Sequence, residues 1–153
     1  MILRQIFNSN AIVMNLHAEN KNEAFEELIN ELVLSNPNMN KSVVLQAVLD
    51  RESKMTTGIQ HGVGVPHGRT DQVDGVKGII GISQKGIEYN SLDGSPVNLI
   101  FMVISNPDAV EDHLVAIQRL AQLLMDPDFF DDVFNCKDSQ EVYDLICRYE
   151  DGL

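Results

Sequence analysis

The amino-acid sequence predicts a single layered α/β domain: a mixed β-sheet of about five strands flanked by helices. Three observations carry that expectation. Residues 97–104 form a strand-length run that is apolar apart from Asn98, as a central strand buried on both faces requires. Two segments with helical apolar spacing precede that run, and three more follow it. Short β-branched stretches, punctuated by Gly, Pro, Asn and Asp, lie in between, so helices flank a sheet at both ends of the sequence.

Taken in order, Ile12-Val13-Met14-Asn15-Leu16 is short, apolar and β-branched at its start, and reads as the first strand. Residues 20–35 read as a helix, with Asn20 as N-cap, Glu23 three positions on, and Phe25, Leu28, Ile29, Leu32 and Val33 on one face. Asn36-Pro37-Asn38 ends it. Asn40 caps a second helix running to about Glu52, with Val43, Val44, Ala47 and Val48 apolar. Residues 53–70 read as a loop plus one short strand. Residues 76–83 read as a strand that admits Gly78 and Gly81 because a neighbour packs closely. Gln84-Lys85-Gly86 reads as a turn from which Ile87-Glu88-Tyr89 returns as a hairpin, and Asp93-Gly94-Ser95-Pro96 as a second turn. Ser105-Asn106-Pro107-Asp108 stops the central strand. The closing helices are expected over 111–125 (Leu114, Ile117, Leu120, Ala121 and Leu124 inward), just after Pro127, and over 139–149 (Val142, Leu145, Ile146 and Tyr149 inward).

At 153 residues and 44% hydrophobic composition the chain can bury a core without metal or disulfide staples. Its net charge of −12 argues against a nucleic-acid backbone as partner and suits a basic or mixed-charge protein. Acidic side chains also serve simple solubility. Cys136 and Cys147 match neither a CxxC pair nor a zinc-finger spacing and read as free thiols in a reducing compartment. The start of the chain, from Met1, shows no signal-peptide core. No apolar run reaches the ~18 residues of a membrane span, so no membrane insertion is expected.

Chemistry concentrates in Gly62-Val63-Gly64-Val65-Pro66-His67-Gly68-Arg69, in a chain with four histidines. Pro66 has no N–H and a fixed φ, and it biases Val65 towards an extended conformation. The reading is a short strand that ends abruptly and holds His67 in a hollow walled by Gly62, Gly64 and Gly68. Phosphate loops of the GxxxxGK[ST] or GxGxxG kind are absent, as is GxSxG. A zinc site would need His61, His67 and His113 with a carboxylate, but the His61–His67 spacing fits neither HExxH nor an i, i+4 pair. Nucleophilic catalysis by a neutral imidazole fits better. A phosphohistidine needs cations or N–H donors close by. Arg51, Arg69 and His113 are candidates, and Thr56 and Thr57 offer hydroxyls. His113 lies near a helix N-terminus, where a neutral N–H donor is preferred to a fixed cation. Bland explanations remain open: Pro-His-Gly also makes a turn, and Arg51 also suits a helix C-terminus.

The parts occur together in order: Arg51-Glu52, Thr57-Gly58-Ile59, Gly62 to Gly68, Leu92-Asp93-Gly94-Ser95-Pro96-Val97, and His113-Leu114. This constellation resembles the fructose/mannitol-type enzyme IIA domain of the bacterial sugar phosphotransferase system, with similarity running from about Ile12 to Leu145. The resemblance implies one such domain over 1–153: a cytoplasmic phosphocarrier that needs no cofactor and no metal. It implies that His67 accepts a phosphoryl group from the carrier protein HPr and passes it to a cysteine of a IIB domain. Arg51 and His113 would surround the phosphorylated ring, supported by Thr57, Gly64, Pro66, Gly68 and Arg69. Gly62 and Gly64 would leave room for the partner's histidine or cysteine. A shallow apolar patch with an acidic rim would receive HPr.

Two positions depart from the family pattern. Gln60-His61 stands where Gly-Asn is usual, which bears on how sharply the loop turns, and Thr56 stands where Ser is common. His61 either adds an imidazole to the site or points to solvent. The nitrogen-related branch of the family regulates other proteins through its phosphorylation state instead of transporting sugar. As a short unfused domain, the chain is read as leaning towards that branch, with the sugar-transport component as the alternative.

Overall fold

The computed structural model describes residues 2–153, the side chain of Gln60 apart. The N-terminal expectation at Met1 and the effect expected of the Gln60 side chain fall outside those residues. Strand β6 (Val97–Ser105) is the axis of the molecule, buried along almost all of its length. It pairs antiparallel with β5 (Val76–Ile87) on one side, and parallel with β3 (Val63–Gly64) and β4 (His67–Arg69) on the other. The six-stranded order is β1 (Ile12–Val13), β5, β6, β3 and β2 (Gly58–Gln60), with β4 on β6 beyond β3. β1 runs parallel to β5, and β2 antiparallel to β3, so the sheet is mixed as expected.

Side-chain alternation along β6 divides the apolar residues into two cores. Leu99, Phe101 and Val103 enter the layer built by α1 (Ile2–Ile6), α4 (Val110–Met125), α5 (Phe129–Phe134) and α6 (Ser139–Asp151). Ile100, Met102 and Ile104 enter the layer built by α2 (Lys21–Ser35) and α3 (Lys41–Lys54). Each such side chain contributes about 1.5–3 kcal/mol on burial. The caps are local: the side chains of Asn20, Asn40 and Asp138 accept from the N–H of Glu23, Val43 and Glu141 at 3.0, 3.3 and 2.8 Å.

Several elements differ from the sequence reading. α1 was not expected. Its first N–H groups are satisfied from afar: the buried Glu150 carboxylate accepts from Leu3 N–H at 2.8 Å and Arg4 N–H at 3.3 Å, and binds Arg4 Nε at 2.9 Å. The first strand stops at Val13 instead of Leu16, although Leu16 N–H still donates to the Ile82 carbonyl. Gln84-Lys85-Gly86 is no hairpin turn. β5 runs on to Ile87, which still pairs with Val97, and the extra residues bulge out. Gly86 takes the positive φ of 88° that the bulge needs, and Asn98 Nδ2 donates to the Ser83 carbonyl at 2.9 Å.

The segment 53–70 holds three short strands, not one. Gln60 pairs with Val63 across a two-residue turn in which His61 (φ 51°) and Gly62 (φ 82°) are both left-handed, as a tight hairpin turn demands. The inward face of α4 is rotated from its expected position: His113, Ala116, Leu120 and Leu123 are buried, whereas Leu114 and Ala121 are exposed. On α3, Val44 and Val48 are buried but Val43 is exposed. Pro127 precedes the Asp128 cap of α5 and does not lie in its first turn.

Candidate active site

β3 and β4 form one line along β6. Val63 pairs with Leu99, Gly64 with Ile100, His67 with Val103 and Arg69 with Ser105, all at the same offset. The line lapses only at Val65-Pro66, where proline has no N–H to give. Val65 N–H donates sideways to the Thr57 carbonyl at 3.0 Å, and the Pro66 carbonyl accepts from Val103 N–H at 3.0 Å. The short strand expected to end abruptly around His67 is instead two pieces, interrupted at Val65-Pro66 and resumed at His67. By register, His67, Val103 and Ser105 face the α4 layer, and Gly68 faces α3.

His67 is half-buried, with Nδ1 3.0 Å from the Val65 carbonyl oxygen. A carbonyl only accepts, so Nδ1 carries the ring proton and Nε2 keeps the free lone pair. Burial lowers the His67 pKa below 6.5; the charges of Arg51 and Arg69 act the same way, against the Val65 hydrogen bond and Glu52. The ring is therefore neutral, with an available nitrogen, at neutral pH.

His113 stands against it from the first turn and a half of α4, the ring centroids 5.7 Å apart and the planes at 57°. It is buried, and its Nδ1 is hydrogen-bonded to the hydroxyl of buried Ser105, the last residue of β6. Burial, then the charges of Arg69 and His67, push its pKa down to about 4.

The cations come from both sides. Arg51, in the last turn of α3, donates from Nη1 to the Met55 carbonyl at 3.2 Å. Arg51, Lys54 and Arg69 line an open depression of about 880 Å³ together with His67, Thr70 and His113. Gly68 explains how α3 comes so near: a Cβ there would lie 3.1 Å from the Ala47 carbonyl carbon and the Val48 nitrogen. Helix backbone rests on strand backbone at Ala47, one turn before Arg51. Val43, at the rim of the depression, and Leu114, on the first turns of α4, are exposed apolar residues.

Thr57 lies outside this cluster. Its buried hydroxyl donates to Glu52 Oε1 at 2.6 Å and its N–H to Glu52 Oε2 at 2.7 Å. With that proton committed, the Tyr89 hydroxyl, 2.8 Å away, is the donor to Thr57 Oγ1. Lys21 Nζ completes the network at 3.0 Å from Glu52 Oε2. Burial, with the Glu52 charge, raises the Tyr89 pKa, so its hydroxyl stays protonated. Gly64 serves this network, since a Cβ there would meet the Tyr89 ring at 2.8 Å. A Cβ on Gly62 would meet Asn98 and Phe130. Of the three glycines, only Gly68 borders the histidine hollow, so Gly62 and Gly64 are not what leaves room for a partner. His61 is exposed and lines a separate depression with Leu124 and Phe130. Among the described residues no three His, Cys, Asp or Glu side chains converge as metal ligands.

The sequence reading missed Ser105, Thr70 and Lys54. A charge in the last turn of α3 was a usable signal for Lys54. Ser105 looked like a strand terminator, and only the register of β6 reveals its direction.

Against known proteins, the family model described as "Phosphoenolpyruvate-dependent sugar phosphotransferase system, EIIA 2" matches residues 5–149. The chain is 31% identical over 136 residues to a nitrogen regulatory protein of Bradyrhizobium diazoefficiens, covering 89% of this chain and 88% of that one. It is also 31% identical over 128 residues to a fructose-specific EIIA component of Haloferax volcanii, covering 84% and 83%. Of a fructose-specific EIIABC component of Bacillus subtilis, 28% identical over 98% of this chain, it spans only 24% of the length. The crystal structure of nitrogen regulatory protein IIA-Ntr from Neisseria meningitidis superposes with a TM-score of 0.88 at 23% identity, over 95% of this chain and 99% of that one. The IIA mannitol enzyme of Escherichia coli, solved in complex with phosphorylated IIB mannitol, gives 0.76 at 22% identity, over 92% and 96%.

Proposed function

The chain belongs to the phosphoenolpyruvate-dependent sugar phosphotransferase system EIIA 2 family, and we propose that His67 is the residue through which it carries a phosphoryl group. The observation that carries this reading is the Nδ1 hydrogen bond from His67 to the Val65 carbonyl, which leaves Nε2 as a neutral nucleophile facing an open, cation-lined depression.

Phospho-HPr is the donor in this reading. Its N–P bond breaks, the electron pair returning to its own ring nitrogen, as the Nε2 lone pair of His67 forms the new N–P bond in line. The proton stays on Nδ1, donated in a hydrogen bond to the Val65 carbonyl, so nothing has to be deprotonated. Arg51 and Arg69 would balance the charge on the phosphoryl oxygens, and His113 would donate a hydrogen bond to them. Pro66 and Gly68 act through position, the first by interrupting the ladder and the second by seating α3. Thr57 acts further back, by fixing the segment after α3. Val43 and Leu114 form the apolar part of the docking surface, with Asp50, Glu111 and Asp112 among the acidic residues around it.

Downstream, the group passes to a IIB cysteine or remains as a regulatory mark. Relatives at equal identity carry the two kinds of name, so both readings stand, the regulatory one taken first. The whole chain acts as one EIIA domain. No described helix is long and apolar enough to cross a membrane, and this reading places the carrier in the cytoplasm with its donor. The test is incubation with phospho-HPr followed by peptide mapping. Label on the His67 peptide, lost in His67→Ala, supports the proposal; label retained at the wild-type level by His67→Ala refutes it. Adding individual IIB domains to the labelled chain then separates transport from regulation.

A further inference from the structure

We propose that Ser105 is a positioning residue that sets the tautomer of His113, and so determines which of its nitrogens faces the phosphoryl group. This rests on the carrier reading above and deepens it.

Ser105 ends β6 fully buried, and its hydroxyl meets His113 Nδ1. Two proton arrangements fit that contact. If Nδ1–H donated to the hydroxyl, the serine proton would need another acceptor, and His113 is the only partner found for Ser105 Oγ among the described residues. A donor left unsatisfied in a fully buried position costs about as much as a lost hydrogen bond. If instead the hydroxyl donates to the Nδ1 lone pair, both groups are satisfied. The ring proton is then on Nε2.

Geometry makes this consequential. Arg69 pairs in register with Ser105, and His67 with Val103, so both chains of the site hang from the same stretch of β6. The His113 ring lies 5.7 Å from the His67 ring and lines the same depression. A serine anchoring Nδ1 from the core side leaves Nε2–H as the group turned towards the depression. The charged residues lining the depression around the pair are Arg69 on β4 and Asp50, Arg51 and Lys54 on α3, while Glu111 and Asp112 lie exposed on the first turn of α4. His113 therefore acts as a fixed neutral donor without needing a proton of its own from solvent. No sequence motif contains Ser105.

The experiment reads the ring nitrogens of His113 by long-range ¹H–¹⁵N NMR on the unphosphorylated wild-type chain. The expected result is an unprotonated Nδ1 and a protonated Nε2; a protonated Nδ1 overturns the proposal without any variant being made. Ser105→Ala should then give a mixture of tautomers and a phosphoryl-transfer rate from phospho-HPr reduced roughly tenfold, the loss of one hydrogen bond's worth of transition-state stabilisation. Ser105→Thr, which keeps the hydroxyl, should recover the single tautomer and most of the rate. Wild-type tautomer and rate in Ser105→Ala overturn the role of Ser105 alone. A wild-type chain that takes no label overturns the carrier reading itself.

Discussion

Gly68 and Ala47 bring helix α3 close onto strand β4: a Cβ at Gly68 would stand 3.1 Å from the Ala47 carbonyl carbon and 3.3 Å from the Ala47 methyl group. Arg51 lies one helical turn beyond that contact and is aimed at the depression by it. A methyl group at Gly68 must displace helix backbone by a few tenths of an ångström. Gly68→Ala is therefore expected to cost about 1 kcal/mol in urea unfolding and to slow phosphoryl transfer several-fold, and Gly68→Val to do both more severely. Unchanged stability and rate in Gly68→Val would contradict the close seating.

Thr57, Glu52, Tyr89 and Lys21 form a buried network behind the site. Thr57→Ala leaves Glu52 Oε1 and the Tyr89 hydroxyl short of a partner. Stability should fall by about 1–3 kcal/mol, measured by denaturant midpoint. Transfer per folded molecule should stay within about threefold, because the Thr57 hydroxyl does not reach the depression. A loss of transfer at full stability would place Thr57 in the chemistry instead.

Lowered histidine pKa values set two pH dependences. The His67 pKa is lowered from 6.5 by burial, so its Nε2 keeps its lone pair to a lower pH than an ordinary imidazole, and transfer should decline only as pH falls through the lowered value. Stability follows the same groups. Between an unfolded value of about 6.5 and the folded value of about 4, the unfolded chain binds the His113 proton and the folded chain does not. Folding stability is thus complete above pH 6.5 and is lost as pH falls towards 4, by on the order of 2–3 kcal/mol from this group. His113→Asn should flatten that part of the curve. An unaltered slope would show that His113 titrates normally.

Leu114 is exposed on α4 beside the site. Leu114→Asp should change stability by no more than about 0.5 kcal/mol, as a surface substitution does, and weaken HPr docking by roughly tenfold or more in titration calorimetry. Docking at wild-type affinity would move the partner surface elsewhere.

The central strand and the capped helices α2 and α3 were legible because each has a local signature, an apolar run or an Asn cap, and Pro66-His67-Gly68 marked His67 as a candidate; the grouping of Arg51 and His113 around that ring was implied by the family resemblance and by no local signal. What was not legible depends on distant partners. α1 is short and capped by Glu150, near the opposite end of the chain, so no local cap announces it. The face of α4 was misread because a histidine occupies a core-facing position while Leu114 is left outside. Periodicity assigns those two the other way. The turn read at Gly86 is a bulge because Ile87 keeps its partner on β6, a fact of register and not of composition. Gly64 looked like access for a partner and is instead the space taken by the Tyr89 ring.

The central claim is that the His67 nitrogen left free by Val65 is the one that takes the phosphoryl group. Phosphorylating the ¹⁵N-labelled chain with phospho-HPr and reading phosphorus–nitrogen coupling in the histidine ring tests it most directly. The account predicts a bond from phosphorus to Nε2 of His67. A phosphoryl group on Nδ1 of that ring, or on any other residue, would contradict it.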